Sequence, residues 1–160
     1  MAILLDTKNR VFTLQTNHSM YQMKADRYGV LLHTLFGEKG SVFDYSYLIT
    51  YADRGFSGNP YDVDDERTYS LDALPQEYPT YGSGDYRGSA LKVRYPDGTT
   101  SCELRYVGYE VLEGKYSIPG LPAIYQMEEN KADTLVITLE DTRKTFYVHL
   151  YYGVMEDLDI

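Results

Sequence analysis

Side chains that alternate between apolar and polar can bury one face only if the backbone is extended, and much of this sequence alternates. In residues 134–141, Leu135, Ile137 and Leu139 alternate with Thr134, Val136, Thr138 and Glu140. After a turn at Thr142-Arg143, the residues Phe146, Val148, Leu150 and Tyr152 alternate with Thr145, Tyr147, His149 and Tyr151. The two segments predict an antiparallel hairpin. A second hairpin is predicted from residues 90–95 and 101–111, joined by Pro96-Asp97-Gly98, which offers a preset φ, a side-chain acceptor and a tolerated positive φ in succession. Shorter strands are expected at residues 2–5, 11–15, 20–24 and 30–36, the last apolar on both faces as a covered central strand would be. No segment sustains a 3.6-residue apolar stripe over ten positions; Tyr45, Leu48 and Ile49 share one side of a single short turn. The expected class is all-β, an antiparallel β-sandwich.

The chain has 160 residues, which predicts one domain spanning residues 1–160. A (β/α)₈ barrel needs roughly 200 residues or more, so a complete barrel does not fit. Apolar residues at 43% and charged residues at 24% exclude wholesale disorder, and 18 Tyr against no Trp suits half-buried pleated surfaces. The net charge of −9, without a run of Lys or Arg, argues against a nucleic-acid partner. No apolar stretch approaches the ~18 residues of a membrane span, and the run Ala2-Ile3-Leu4-Leu5, stopped by Asp6, is too short for a signal-peptide core. Cys102 stands alone, so no intrachain disulfide forms and a reducing, cytoplasmic setting is expected.

Two stretches break the alternation, residues 52–89 and 114–133, and long irregular segments inside a compact domain tend to carry function. Gly82-Ser83-Gly84-Asp85-Tyr86-Arg87-Gly88 is one residue too long for a dinucleotide fingerprint and precedes no helix, so a hairpin loop is expected there. Asp62, Asp64, Asp65 and Glu66 fail the calcium-loop spacing, with Arg67 and Ala73 where Gly and Glu belong, and read as solvated charge. His18, His33 and His149 lie apart and without partner ligands, and Cys102 reads as a small buried hydrophobe; no metal and no cofactor are expected. There remains Tyr51-Ala52-Asp53-Arg54-Gly55-Phe56-Ser57-Gly58-Asn59-Pro60-Tyr61. A carboxylate beside a guanidinium, an aromatic face, an amide and two permissive glycines are the parts of a sugar site: the carboxylate accepts paired hydroxyls and the ring covers a pyranose C–H face. On chemistry alone, an Ω-like loop held by its own side chains accounts for the same residues.

The same run, with Ser46-Tyr47-Leu48 before it and Arg67-Thr68-Tyr69-Ser70-Leu71-Asp72, Leu74-Pro75-Gln76-Glu77-Tyr78, Gly84-Asp85-Tyr86-Arg87 and Gly114-Lys115-Tyr116-Ser117-Ile118-Pro119-Gly120-Leu121-Pro122 after it, resembles the N-terminal domain of bacterial α-galactosidases of glycoside hydrolase family 36. The blocks fall in the expected order along the whole chain. The resemblance implies a large β-sandwich of the galactose-mutarotase-like kind, followed elsewhere in the polypeptide by a catalytic barrel. It further implies cleavage of terminal α-galactose from melibiose, raffinose and related oligosaccharides with retention of configuration. The family's nucleophile motif Lys-Trp-Asp cannot occur in a chain without Trp, so no catalytic residue is expected here. By the same resemblance Asp53 reaches toward the galactose hydroxyls, with Arg54, Phe56 and Asn59 on the same loop as further substrate-binding residues. Arg67 is expected to pair with a nearby acid. The partners implied are the barrel of the same polypeptide, a galactose-containing oligosaccharide and further subunits of a homo-oligomer. An autonomous carbohydrate-binding module and a purely structural, oligomer-forming domain are the alternatives.

Overall fold

Alternation becomes pleated sheet in two antiparallel meanders. The structure, a computed structural model, describes residues 2–53, 55, 58–82, 84–127 and 131–158. Ile3–Asp6 (β1), Val11–Gln15 (β2), Ser19–Ala25 (β3) and Leu31–Glu38 (β4) form one sheet in the order β1-β2-β3-β4. Leu104–Glu113 (β5), Ala132–Asp141 (β6) and Tyr147–Met155 (β7) form the other in the order β5-β6-β7. Among the described residues there is no α-helix, only a 3₁₀ turn at Ser46–Leu48, and no helix is long and apolar enough to cross a membrane. The β6–β7 hairpin pairs as its alternation requires, Leu135 opposite Tyr152 and Ile137 opposite Leu150.

The two sheets bury one apolar core between them. Ile3, Phe12, Leu14, Met23 and Leu31 contribute from the first sheet, and Leu104, Leu135, Ile137, Leu139 and Val154 from the second. The Phe12 ring meets Tyr106 and Tyr109 of β5, with centroids 5.6 and 5.5 Å away. Each fully buried Leu or Ile here contributes about 2 kcal/mol in area removed from water. Cys102 joins this core as expected, and burial pushes its thiol pKa up to about 11. At the seam between the sheets, Glu77 accepts hydrogen bonds from Tyr21 of β3 at 2.5 Å and Tyr152 of β7 at 2.8 Å. Burial and this carboxylate push both phenols well above the usual tyrosine value.

Three local expectations need correction. Residues 30–36 do form a strand with two buried faces, Leu31 in the inter-sheet core and Leu32 in a second cluster, but it is the last strand of its sheet and not a central one. A neighbouring loop covers its outer edge: His33 N–H donates to the Pro75 carbonyl and Glu77 N–H to the Leu31 carbonyl. Residues 90–95 do not pair with 101–111. The Pro96-Asp97-Gly98 turn closes as foreseen, Gly98 N–H to Tyr95 O and Tyr95 N–H to Thr99 O, yet no ladder continues from it, and the strand partner of β5 is β6. Among the described residues around Gly82 and Gly84 no hairpin pairing is found; the adjoining Thr80–Leu91 bridge is parallel.

Among the described residues of 49–103 there is nothing longer than an isolated bridge, so the backbone there relies on turn and loop hydrogen bonds, such as Ala73 N–H to Ser70 O and Ala90 N–H to Pro79 O, and on side chains. Polar side chains also pin this segment and its neighbours to the sheets. The fully buried Gln22 donates to Thr13 Oγ1 and the Phe43 carbonyl, and accepts from Thr34 Oγ1 and Tyr45 N–H, fastening the 43–45 segment to the outer face of the first sheet. Asp26 accepts from Tyr28 N–H, Val30 N–H and, at 2.5 Å, Tyr69 OH. Arg87 donates to the Leu71 and Leu74 carbonyls and pairs with the buried Asp85 at 2.7 Å. Burial disfavours the Asp85 carboxylate, but the Arg87 and Gln76 hydrogen bonds outweigh it and hold its carboxyl below the usual range.

Glu77→Ala leaves two phenols at the seam without their acceptor and is expected to cost about 2–3 kcal/mol, read as a lowered urea midpoint. A carboxyl whose folded pKa is depressed stabilises above its unfolded value near 4 and ceases to do so as pH falls through the folded value. Asp85→Asn should therefore lower stability at pH 7 and flatten the loss of stability on acidification below about pH 4; an unchanged acid limb would exclude Asp85 as a contributor.

Candidate functional site

The irregular segment has an apolar centre of its own. Val63, Tyr69, Leu71 and Leu74 pack with Val30 and Leu32 on the outer face of β4, with Tyr28 and Ile49 at the margin. Residues 60–69 reach it through successive turns, Val63 N–H to Pro60 O, Glu66 N–H to Val63 O and Tyr69 N–H to Glu66 O. The fully buried Val63 plugs the cluster from inside the acidic stretch, so that stretch is not simply solvated charge. Asp62 lies 3.5 Å from Arg105, while Glu66 pairs with Arg27 and accepts from Tyr28 OH at 2.9 Å. Among the described residues no group of three or more His, Cys, Asp or Glu is placed to hold a metal.

Asp53 sits on the rim of this structure. Its Oδ1 accepts the Gly55 N–H at 2.8 Å, and its Oδ2 lies 3.2 Å from Arg67 Nη2, the acidic pairing foreseen for Arg67. Gly55 has φ +69° with open space where a Cβ would be, so glycine is used there for backbone conformation and not for room. A carboxylate offers about four lone-pair positions; the Gly55 amide and the Arg67 guanidinium orient the group, and its half-exposed side chain keeps acceptor capacity toward solvent. Asn59 does something different. Its Nδ2 donates to the Glu66 carbonyl at 2.8 Å, which ties the two limbs of the loop together. Of the four expected binding residues, Arg54 and Phe56 lie outside the described residues. Gly84 approaches the loop closely, since a Cβ on it, at φ +93°, would come within 2.8 Å of the Gly58 carbonyl oxygen.

A cleft of about 520 Å³ is lined by Lys24, Asp26, Arg27, Tyr47, Tyr51 and Glu66 among others. Two of its lining residues, Tyr51 and Glu66, lie close in sequence to the paired Asp53 and Arg67. The Tyr51 ring stacks on Tyr69 at 6.3 Å, while the exposed Tyr47 ring lies parallel to Phe43 at 6.2 Å. Lys24 donates to Asp44 at 2.6 Å and Ser46 at 3.0 Å. The sequence reading does not single out Lys24, Arg27 or Tyr47, because they come from β3, a turn and the 3₁₀ segment and share no local spacing. Tyr47 appears in the sequence only as part of the Ser46-Tyr47-Leu48 block and of the abundance of tyrosine.

Residues 29–160 match the glycosyl hydrolase family 36 N-terminal domain. The bifunctional α-galactosidase/sucrose kinase AgaSK of Mediterraneibacter gnavus is 49% identical over 160 residues, all of this chain and 17% of that protein. The structure of the galactosidase domain of AgaSK superposes with a TM-score of 0.92 over 98% of this chain and 21% of its own. A variant of the α-galactosidase AgaA from Geobacillus stearothermophilus, in complex with raffinose, superposes with a TM-score of 0.83 at 37% identity, over 91% of this chain and 20% of its own. The chain spans about a fifth of the length of these relatives. A two-sheet antiparallel sandwich, the buried loop centre behind Asp53 and sequence identity along the whole chain thus converge: the chain belongs to the N-terminal domain family of the family 36 glycosyl hydrolases.

Proposed function

We propose that this chain is the non-catalytic N-terminal sandwich of an α-galactosidase and that Asp53 completes the galactose pocket formed by the catalytic barrel in the remainder of the polypeptide. The setting of Asp53 carries the reading. Its carboxylate is oriented by a backbone amide and a guanidinium, yet it stands half exposed on a loop backed by a packed apolar cluster. A group held in this way is preorganised to accept two sugar hydroxyls without reordering the loop. The naming of the relatives as α-galactosidases and the raffinose complex of one of them support the substrate class. The nucleophile and the acid/base that retention demands belong to the barrel in this reading. Cytoplasmic location is part of the same proposal, supported by the single, buried Cys102.

In the full-length enzyme, Asp53→Ala removes a charged acceptor worth about 1.5–3 kcal/mol and should lower kcat/KM by about 10- to 100-fold, mainly through KM. Unchanged kinetics would remove Asp53 from the pocket. The 160-residue chain alone should hydrolyse no aryl α-galactoside, and sub-millimolar raffinose binding to it in calorimetry would favour an autonomous binding module instead. Asn59→Ala, which breaks the bridge to the Glu66 carbonyl, should raise KM less than Asp53→Ala while accelerating amide exchange across residues 58–67; equal exchange in the two proteins would show that Asn59 does not organise the loop.

A further inference from the structure

The limb that carries Asp53 has little hold on the fold through its own backbone. Among the described residues of 50–59, none belongs to a strand and none makes a backbone–backbone hydrogen bond. Beside the close approach of Gly84 to Gly58, three side-chain interactions tie these residues down, and all three end on residues 66–69. The Tyr51 ring stacks on Tyr69 at 6.3 Å, Asp53 Oδ2 lies 3.2 Å from Arg67 Nη2, and Asn59 Nδ2 donates to the Glu66 carbonyl at 2.8 Å. The place of the carboxylate therefore depends on what fixes residues 66–69.

Tyr69 is the buried member of that segment, 1% exposed. Glu66 pairs with Arg27, whose side chain is 66% exposed, and ion pairs in water hold little. The Tyr69 hydroxyl instead donates to Asp26 Oδ2 at 2.5 Å, while Asp26 Oδ1 accepts the Tyr28 and Val30 N–H groups in the turn that opens β4. Burial and Asp26 push the Tyr69 phenol well above the usual tyrosine value, so it stays a donor at neutral pH. The ring has Tyr28 edge-on at 4.7 Å as one aromatic neighbour and Tyr51 as another. Its own N–H donates to the Glu66 carbonyl, the same oxygen that receives Asn59. Tyr69 thus meets one limb of the loop with its ring, at Tyr51, two residues before Asp53, and belongs to the other limb through its main chain, two residues after Arg67.

We propose that Tyr69 is the positioning residue of the Asp53 carboxylate: its hydroxyl bond to Asp26 locks the ring against the turn into β4, and the locked ring sets both limbs of the loop that presents Asp53. Tyr69 touches no substrate in this role. The proposal rests on the reading of Asp53 as part of the galactose pocket and adds the group that fixes where the carboxylate stands.

Kinetics and residue-resolved hydrogen exchange on the full-length polypeptide that carries this chain test it. Tyr69→Phe keeps the ring and removes only the hydroxyl. It should raise KM for raffinose about 3- to 10-fold with kcat within about twofold. The Gly55 amide, which donates to Asp53, should exchange about tenfold faster or more, beyond any change in the β6 amides. In an Asp53→Ala background the same substitution should leave KM within about 1.5-fold, because the two residues act as one unit. A hydroxyl that serves stability alone lowers the urea midpoint and either leaves KM unchanged or shifts it equally in both backgrounds. Either kinetic result would overturn the proposal, as would unaltered Gly55 exchange. Parental kinetics in Asp53→Ala would overturn the pocket reading and this proposal with it, an outcome distinct from the others because in those Asp53→Ala remains impaired.

Discussion

Leu31 and Leu32 are neighbours on β4, and in a strand neighbours point to opposite faces. Both are buried, so β4 requires an apolar cover on each side. On the Leu31 side the second sheet supplies it, closing the sandwich. On the Leu32 side no sheet is present among the described residues. Val63, Tyr69, Leu71 and Leu74 of an irregular segment take that place. The long stretch without strands is thus half of a core, and the loop carrying Asp53 is the solvent side of that packed layer.

Irregular backbone under burial leaves many donors and acceptors to satisfy, and here a few polar side chains serve several each. Gln22 holds the 43–45 segment, Asp26 the turn into β4 and Tyr69, and Arg87 the carbonyls at 71 and 74. Glu77 performs the same task between the sheets, receiving one phenol from each. These pins connect positions far apart in sequence, and they allow a loop with little regular structure to present a carboxylate in a defined place. The chain amounts to about a fifth of the relatives it matches.

Periodicity made the strands legible: the expected segments at 2–5, 11–15, 20–24, 30–36, 134–141 and 146–152 each lie on an observed strand within one to three residues. Pairing was less legible. The Pro96-Asp97-Gly98 turn forms as the sequence predicts, but a turn dictates only local reversal, and β5 pairs with β6 and not with residues 90–95. The two-sided burial of residues 30–36 was likewise visible in sequence, whereas the identity of the second cover was not, since a loop cover leaves no period.

The candidate site divides in the same way. Residue order around Asp53 carries the resemblance to the family, while residue types alone leave a sugar site and a self-held loop both open, since these are properties of a contiguous run that survive without any structure. Which groups orient that carboxylate, and what surrounds it, was decided by folding. Arg67 arrives from 14 residues away, and Gly84 closes on Gly58 from another loop. Sequence determines alternation, turn chemistry and the inventory of groups because these depend on near neighbours along the chain. Only tertiary structure decides which distant groups share a surface, because that depends on how two apolar faces of one strand are each covered.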